Sequence, residues 1–177
     1  MGASSAEAGP RELIAAGGCW VALLLMVLVP VGLAEANPIP ATKIAEGDGV
    51  RLSTPGAMTV SLSLDPLAGW TWPRQRTRAQ LDAYRGVAQV SIKVIGNVDD
   101  PAVTLLRVAR LHRIPDLVEL DRPSGDSSVI MAEGSDGTEL IIVSSRRTAV
   151  VAIGRRLAGD ESVGFRRLAQ DVLFLHG

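Results

Sequence analysis

The segment ELIIVSSRRTAVVAI, residues 139–153, decides the fold of this chain. It contains two apolar runs rich in Val and Ile, residue types that favour β-strands, on either side of a short polar stretch. Residues 141–143 and 149–153 are apolar on both faces, which is typical of strands that are covered on both sides. We therefore predict that strands over 139–144 and 148–153 are central in a sheet and form its nucleus.

Further strands are predicted before and after this nucleus. Residues 58–64 (MTVSLSL) and 87–95 (VAQVSIKVI) alternate apolar and polar side chains, with the period of two expected of a half-buried strand. Shorter strands are predicted at 50–53, 117–120 and 128–132. Asp136-Gly137 predicts a type I′ hairpin turn, because Gly tolerates a positive φ. Residues 79–85 are ambiguous and are compatible with a turn of helix.

Two helices complete the predicted domain. The first begins at Asp100-Pro101, where Asp caps the helix and Pro loses no hydrogen bond at the first helical position. It must end before Pro115, because proline disfavours helical geometry in the residue that precedes it. The second is predicted over 161–173, capped by Asp160 and carrying an apolar stripe. About seven strands and two helices indicate an α+β fold, a mainly antiparallel sheet flanked by helices.

The first 36 residues have the pattern of an export signal. Residues 20–33 (WVALLLMVLVPVGL) form an uncharged apolar run. The small residues Ala34 and Ala36 follow it, in the positions that a signal peptidase requires. We predict cleavage before Asn37 and therefore a secreted, periplasmic or envelope protein. The alternative is an uncleaved membrane anchor, because residues 14–33 are about twenty mostly apolar residues, enough to span a bilayer.

The segment after the signal is predicted to be a linker. Residues 37–49 contain Pro38 and Pro40 and have no periodicity, so the folded domain is predicted to be 50–177. Cys19 is the only cysteine, and it precedes the apolar run, whereas the lipidated cysteine of a bacterial lipoprotein follows that run. We therefore expect no lipid on Cys19.

Composition argues against several classes of function. The 177 residues include 18 Lys plus Arg and 19 Asp plus Glu, so the charge is close to zero and creates no broad field for nucleic acid. Residues 37–177 contain no cysteine, and the chain has only two histidines, His112 and His176. Neither a His and Cys metal site nor a glycine-rich phosphate loop can be assembled. We expect no metal, no cofactor and no nucleic-acid partner.

A serine hydrolase is the enzymatic alternative. Gly125-Asp126-Ser127 matches the start of a GDS hydrolase block, and Asp171 with His176 could complete a triad. The serine lies late in the chain, however, and the Asp and His are farther apart than in families that use this block. Gly-Asp-Ser is also ordinary turn chemistry. We therefore expect Ser127 to be a turn residue and predict no catalytic residue.

Residues 69–78 (GWTWPRQRTR) contain an unusual candidate binding face. Its alternate positions hold tryptophan or arginine: Trp70, Trp72, Arg74, Arg76 and Arg78. In an extended chain all five would share one face, which could bind an anion or a lipid head group through guanidinium donors and indole rings. The alternative, which Pro73 favours because it interrupts the extended chain, places both tryptophans in the core and leaves the arginines in solvent.

Several of these features together resemble the LpqN/LpqT-type exported proteins of mycobacteria. The resemblance includes Gly69-Trp70 after a strand, the strand over 87–95 that ends in GNVDDPA (96–102), and the helix, meander and closing helix that follow. It covers about residues 50–175 and implies a PsbP/Mog1-like fold, an antiparallel sheet with helices on both sides. Most members are lipoproteins with a cysteine at the mature N-terminus, and this chain departs from them there.

The resemblance implies an envelope-associated, non-enzymatic protein, linked in the family to transport or partner binding. The family offers no catalytic residue to transfer. The expected function is therefore that of an exported envelope module that binds a protein partner or an envelope lipid. A purely structural domain without a specific ligand is a further alternative.

Overall fold

The computed structural model describes residues 41–73, 77–121 and 128–175, and these form eleven strands and two helices. In chain order the elements are β1 (Ala41–Lys43), β2 (Gly49–Leu52), β3 (Thr59–Ser63), β4 (Thr71–Pro73), β5 (Gln80–Arg85), β6 (Ala88–Gly96), α1 (Pro101–Leu111), β7 (Val118–Asp121), β8 (Ser128–Glu133), β9 (Glu139–Ser145), β10 (Thr148–Arg155), α2 (Asp160–Arg167) and β11 (Val172–Leu175). Single turns of 3₁₀-helix lie at Asp65–Leu67 and Leu168–Gln170.

The nucleus predicted from residues 139–153 is confirmed. Strands β9 and β10 pair antiparallel inside an eight-stranded sheet with the order β1-β4-β5-β6-β10-β9-β8-β7. Both strands are buried along almost their whole length. A second sheet contains three antiparallel strands in the order β11-β3-β2. The α+β class with a mainly antiparallel sheet is therefore as predicted.

The large sheet separates two hydrophobic cores. Ile141 and Val143 of β9 belong to the first core, which also contains the inward side chains of the small sheet and Phe165 of α2. Leu140 and Ile142, which alternate with them along the strand, belong to the second core, which α1 covers. One helix thus packs in each core, and the double burial of β9 explains why its sequence is apolar without alternation.

Helix α1 begins and ends as its sequence predicts. The Asp100 carboxylate accepts hydrogen bonds from the amides of Ala102 and Val103, at 2.8 and 3.2 Å, and Pro101 is the first helical residue. At the other end the Ile114 amide donates to the Ala109 carbonyl, at 2.9 Å. This end is a Schellman motif, a left-handed turn that closes a helix.

Arg113 occupies the left-handed position of that motif, with φ of 55°. Its amide donates to the Arg110 carbonyl at 3.2 Å, which is the second hydrogen bond of the motif. Ile114 then enters the second core. Together these contacts hold His112, the C-cap residue, at the end of the helix beside the large sheet.

Part of the predicted linker lies in the sheet. Strand β1, within residues 37–49, pairs antiparallel with β4, so that Thr42 lies opposite Trp72. Ile44 is buried, and its amide donates to the Trp70 carbonyl at 2.8 Å. The folded part of the chain therefore begins before Val50. A three-residue edge strand is too short to show a period in the sequence, which explains the error.

The structure resolves one ambiguous segment and corrects one predicted helix. The ambiguous residues 79–85 contain strand β5, not a turn of helix. The closing helix ends at Arg167 instead of Leu173, and β11 then pairs with β3. Val172 and Phe174 pack against the first core from an extended chain. A short apolar segment fits both the helical and the strand period, so tertiary pairing decides between them.

The turn at Asp136-Gly137 is longer than the two-residue type I′ turn predicted there. The loop between β8 and β9 closes with the Gly134 amide donating to the Thr138 carbonyl, at 2.9 Å. Gly137 has φ of 74°, but Asp136 does not have a positive φ. Instead the Asp136 carboxylate accepts a hydrogen bond from the Thr138 amide, at 3.0 Å, as expected of aspartate in a turn.

Candidate functional site

A groove lies beside α1 on the second face of the large sheet. Helix α1 packs over β8 and β9, and the neighbouring surface of β5 and β6 remains open beside it. The groove has two adjoining compartments of about 250 and 90 Å³. We call it the α1 groove and define it by its lining residues: Gln80, Asp82, Tyr84, Gln89, Ser91, Lys93, Ile95, Val108, Leu111, His112, Val151, Ile153 and Arg155.

The register of three strands builds the floor of the α1 groove. Each row across the sheet takes one residue from β5, one from β6 and one from β10. The rows are Gln80–Lys93–Val151, Asp82–Ser91–Ile153 and Tyr84–Gln89–Arg155. Polar side chains therefore come mainly from β5 and β6, and apolar side chains come from β10. The floor changes from polar to apolar across its width.

The two compartments differ in chemistry. The smaller one is bounded mainly by the apolar side chains of Ile95, Val108, Leu111 and Val151, and Lys93 also lines it. The larger one contains Asp82, Gln89 and Arg155 together with the phenol of Tyr84. Ser91, Ile153, Gln80 and His112 line both, so they mark the junction.

Hydrogen bonds hold two polar groups of the α1 groove in place. The Gln80 side-chain amide donates to both carboxylate oxygens of Asp82, at 3.1 and 3.0 Å. Arg155 Nη2 donates to the His112 carbonyl at 3.2 Å. This second bond ties β10 to the end of α1, and it satisfies one of the carbonyls that every helix leaves without an intrahelical partner.

His112 is the titratable group at the junction. Its pKa is lowered from the usual value, first because burial disfavours the charged imidazolium and then because Arg155 and Lys93 add positive charge nearby. A lowered pKa keeps the imidazole neutral to a lower pH than in a free chain. Burial and, to a lesser extent, the charges of Arg155 and Lys93 thus both oppose protonation of His112.

This lowered pKa predicts a pH dependence of stability. The unfolded chain takes up the His112 proton at a higher pH than the folded chain, so stability must fall as the pH decreases through the usual histidine range. We expect the urea midpoint of the natural protein to fall more between pH 7.5 and pH 5 than that of His112→Gln. Parallel curves for the two proteins would contradict this expectation.

The predicted Trp and Arg face is not one continuous surface in the described residues. Trp70 is 2% exposed and belongs to the first core, so its indole cannot contact a partner. Trp72 is half-buried and packs against the same core. The extended strand ends at Pro73, and Arg78 is exposed in a turn. Arg74 and Arg76 lie outside the described residues.

Most of the other sequence candidates lie outside the residues that the structure describes. Ser127 and His176 lie outside the described residues, and so do Ala34, Ala36 and Asn37. Asp171 borders a different, more open depression of about 380 Å³ beside the small sheet. Within residues 41–73, 77–121 and 128–175, no three His, Cys, Asp or Glu side chains are grouped closely enough to hold a metal ion.

Sequence reasoning missed the α1 groove for two reasons. Residues 89, 91 and 93 are the polar positions of an alternating strand, and such positions ordinarily face solvent. The β5 residues that complete the floor lie in the segment whose structure was ambiguous. The useful signal was that Gln80, Asp82 and Tyr84 also alternate with the apolar Leu81 and Ala83.

Comparison with known proteins adds no relative. No protein-family model matches the sequence, and no curated protein matches it. In the part of the chain that the structure describes, no helix has the length and apolar character needed to cross a membrane.

Proposed function

We propose that this chain is an exported, non-enzymatic envelope protein that binds a small amphipathic molecule in the α1 groove. The observation that carries the proposal is the junction of a polar compartment of about 250 Å³ with an apolar compartment of about 90 Å³. Ligand pockets typically combine apolar walls with a few polar groups that orient the ligand. An envelope lipid head group with the start of its chain has this character.

We also propose that the fold is of the PsbP/Mog1 type. The antiparallel sheet with one helix in each core supports this assignment, together with the sequence resemblance to the LpqN/LpqT-type proteins. The small sheet of β11, β3 and β2 is an additional layer on the first core. In this proposal export brings the groove to the envelope, and the family link to transport suggests an accessory carrier.

The arrangement of polar groups favours binding over hydrolysis. Ser91, His112 and Asp82 share the α1 groove, and these are the residue types of a catalytic triad. Among the described residues, however, the His112 side chain makes no hydrogen bond with Ser91 or Asp82, and both Asp82 oxygens accept from Gln80. Ester hydrolysis that disappears in Ser91→Ala would contradict the non-enzymatic part of the proposal.

Two leucines of α1 provide a matched test of ligand binding. Leu111 lines the apolar compartment and is 75% exposed, whereas Leu106 is 49% exposed on the same helix and does not line the groove. We expect Leu111→Glu to weaken binding of octyl glucoside about tenfold, because a charge would enter the apolar compartment. Leu106→Glu should bind like the natural protein. Titration calorimetry measures both, and equal affinities in all three would contradict the proposal.

Export is tested at the N-terminus. We expect the mature protein to begin at Asn37, because Ala34 and Ala36 are the small residues that a signal peptidase requires. N-terminal sequencing of the protein from its own envelope measures this. Recovery of residues 1–36 in membrane-bound protein would support the uncleaved anchor instead.

A further inference from the structure

We propose that the ligand of the α1 groove carries an anionic group, such as a carboxylate, phosphate or sulfate, seated between Lys93, His112 and Arg155. The proposal rests on the ligand-binding function proposed above and adds the charge of the ligand. The same anionic chemistry occurs in a lipid head group and in a small free ion.

Two cations of the groove, Lys93 and Arg155, have no carboxylate partner among the described residues. Arg85, Arg147 and Arg166, by contrast, each form an ion pair with a carboxylate. Of the residues that the structure describes, Asp82 is the one carboxylate that lines the groove, and both of its oxygens accept from Gln80. The groove therefore has an excess of positive charge, which favours a negative ligand.

Lys93 and Arg155 lie toward opposite ends of the groove with His112 between them: Lys93 lines the smaller compartment and Arg155 lines the larger. Lys93 and Gln89 are four residues apart on β6, about 14 Å along a strand, and Arg155 lies opposite Gln89. His112 lines both compartments, and the charges of Lys93 and Arg155 both act on its imidazole. An anion over the central row would meet the Ser91 hydroxyl with these three groups around it.

His112 should make the affinity of the groove for an anion depend on pH. The titratable groups that face the volume are Asp82 and Tyr84 from β5, Lys93 from β6, Arg155 from β10 and His112 from the end of α1. Of these side-chain types, histidine is the one whose ordinary titration lies between pH 5 and pH 8. A bound anion would favour the imidazolium, so affinity should increase as the pH falls.

Three probes distinguish the contribution of the ligand's anionic group to affinity from that of its alkyl chain. Octyl sulfate carries an anion and an alkyl chain, octyl glucoside carries the same chain without charge, and inorganic sulfate carries the charge alone. In titration calorimetry at low salt we expect octyl sulfate to bind about tenfold more tightly than octyl glucoside. Affinity for octyl sulfate should also increase roughly threefold from pH 7.5 to pH 5.5, and His112→Gln should remove this increase.

Charge-matched variants locate the anion. Arg155→Gln and Lys93→Gln should each weaken octyl sulfate binding about tenfold and weaken octyl glucoside binding much less, because octyl glucoside carries no charge for the lost cation to attract. Arg107→Gln removes the same charge from an exposed residue of α1 that does not line the groove, and should change both affinities much less than the two groove substitutions do. The two groove substitutions are separate tests, so if one variant fails to fold the other still tests the proposal.

The outcomes are distinct. Equal affinity for octyl glucoside and octyl sulfate would overturn the anion proposal and leave the proposed function intact. If neither amphiphile bound, the proposed function would be overturned. If inorganic sulfate bound as tightly as octyl sulfate, the ligand would be identified as a free anion. A loss in Arg107→Gln equal to that in Arg155→Gln would overturn the assignment of the anion to the groove.

Discussion

Trp70→Ala is expected to lower the free energy of unfolding by about 3–5 kcal/mol, because truncation of a buried indole removes its contacts and leaves a cavity. Trp70 is among the largest fully buried side chains and lies in the first core. For a domain of this size the melting temperature should fall by roughly 10–15 °C. Thermal and urea denaturation of the folded domain measure the change.

Two substitutions control for the general effects of mutation. Trp70→Phe keeps an aromatic ring in the core and should lose less stability than Trp70→Ala. Val87, which is 74% exposed in the turn between β5 and β6, should tolerate alanine within about 0.5 kcal/mol. An unchanged melting temperature in Trp70→Ala would mean that the indole lies at the surface. Trp70 could then belong to the predicted Trp and Arg binding face.

The parts of the fold that the sequence predicts correctly are those with redundant local signals. The central residues of strands β9 and β10 are buried on both faces, so they form uninterrupted apolar runs, residues 140–143 and 149–153. Helix α1 has an aspartate cap, a proline at its first position and a proline soon after its end. In each case several independent preferences agree, which is the condition for a confident local prediction.

The missed elements lack such signals because partners distant in sequence create them. Strand β1 has three exposed residues and exists through its pairing with β4. Strand β11 exists through its pairing with β3, more than a hundred residues earlier in the chain. A segment of three or four residues has no period of its own, so long-range hydrogen bonds decide its structure.

The candidate site was harder to predict than the fold because no single segment contains it. Its floor combines residues of β5, β6 and β10 through the sheet register, and His112 joins them only because the Schellman motif ends α1 there. Arg113 in the left-handed position gives no sequence signal, since glycine is the usual residue at that place. The groove is therefore a property of tertiary structure.

The buried carboxylate of Glu139 predicts a second large effect. Its residue is 6% exposed, and its two oxygens accept hydrogen bonds from the Ser162 hydroxyl and, at 2.8 Å, from Arg166 Nε. The hydrogen bond that Arg166 donates to Glu139 is the main reason that the pKa of Arg166 is raised. These bonds connect β9 to α2, so they hold the helix on the first core.

Removal of the Arg166 side chain should lower the free energy of unfolding more than removal of the Glu139 charge. In Arg166→Met the Glu139 charge stays buried with one neutral donor, and we expect a loss of about 3 kcal/mol. In Glu139→Gln the guanidinium, which is 43% exposed, can turn to water, so the loss should be about 1 kcal/mol. Urea denaturation of both variants measures the asymmetry.

Glu133, which also forms an ion pair with Arg166, supplies the control. Glu133 lies 3.7 Å from Arg166 and is 41% exposed, so Glu133→Gln should cost less than about 0.5 kcal/mol. The double variant Arg166→Met with Glu139→Gln should be more stable than Arg166→Met alone, because no buried charge remains without a partner. If Arg166→Met cost no more than Glu133→Gln, Glu139 would have to reach solvent, and the link between β9 and α2 would depend on Phe165 and its apolar neighbours instead.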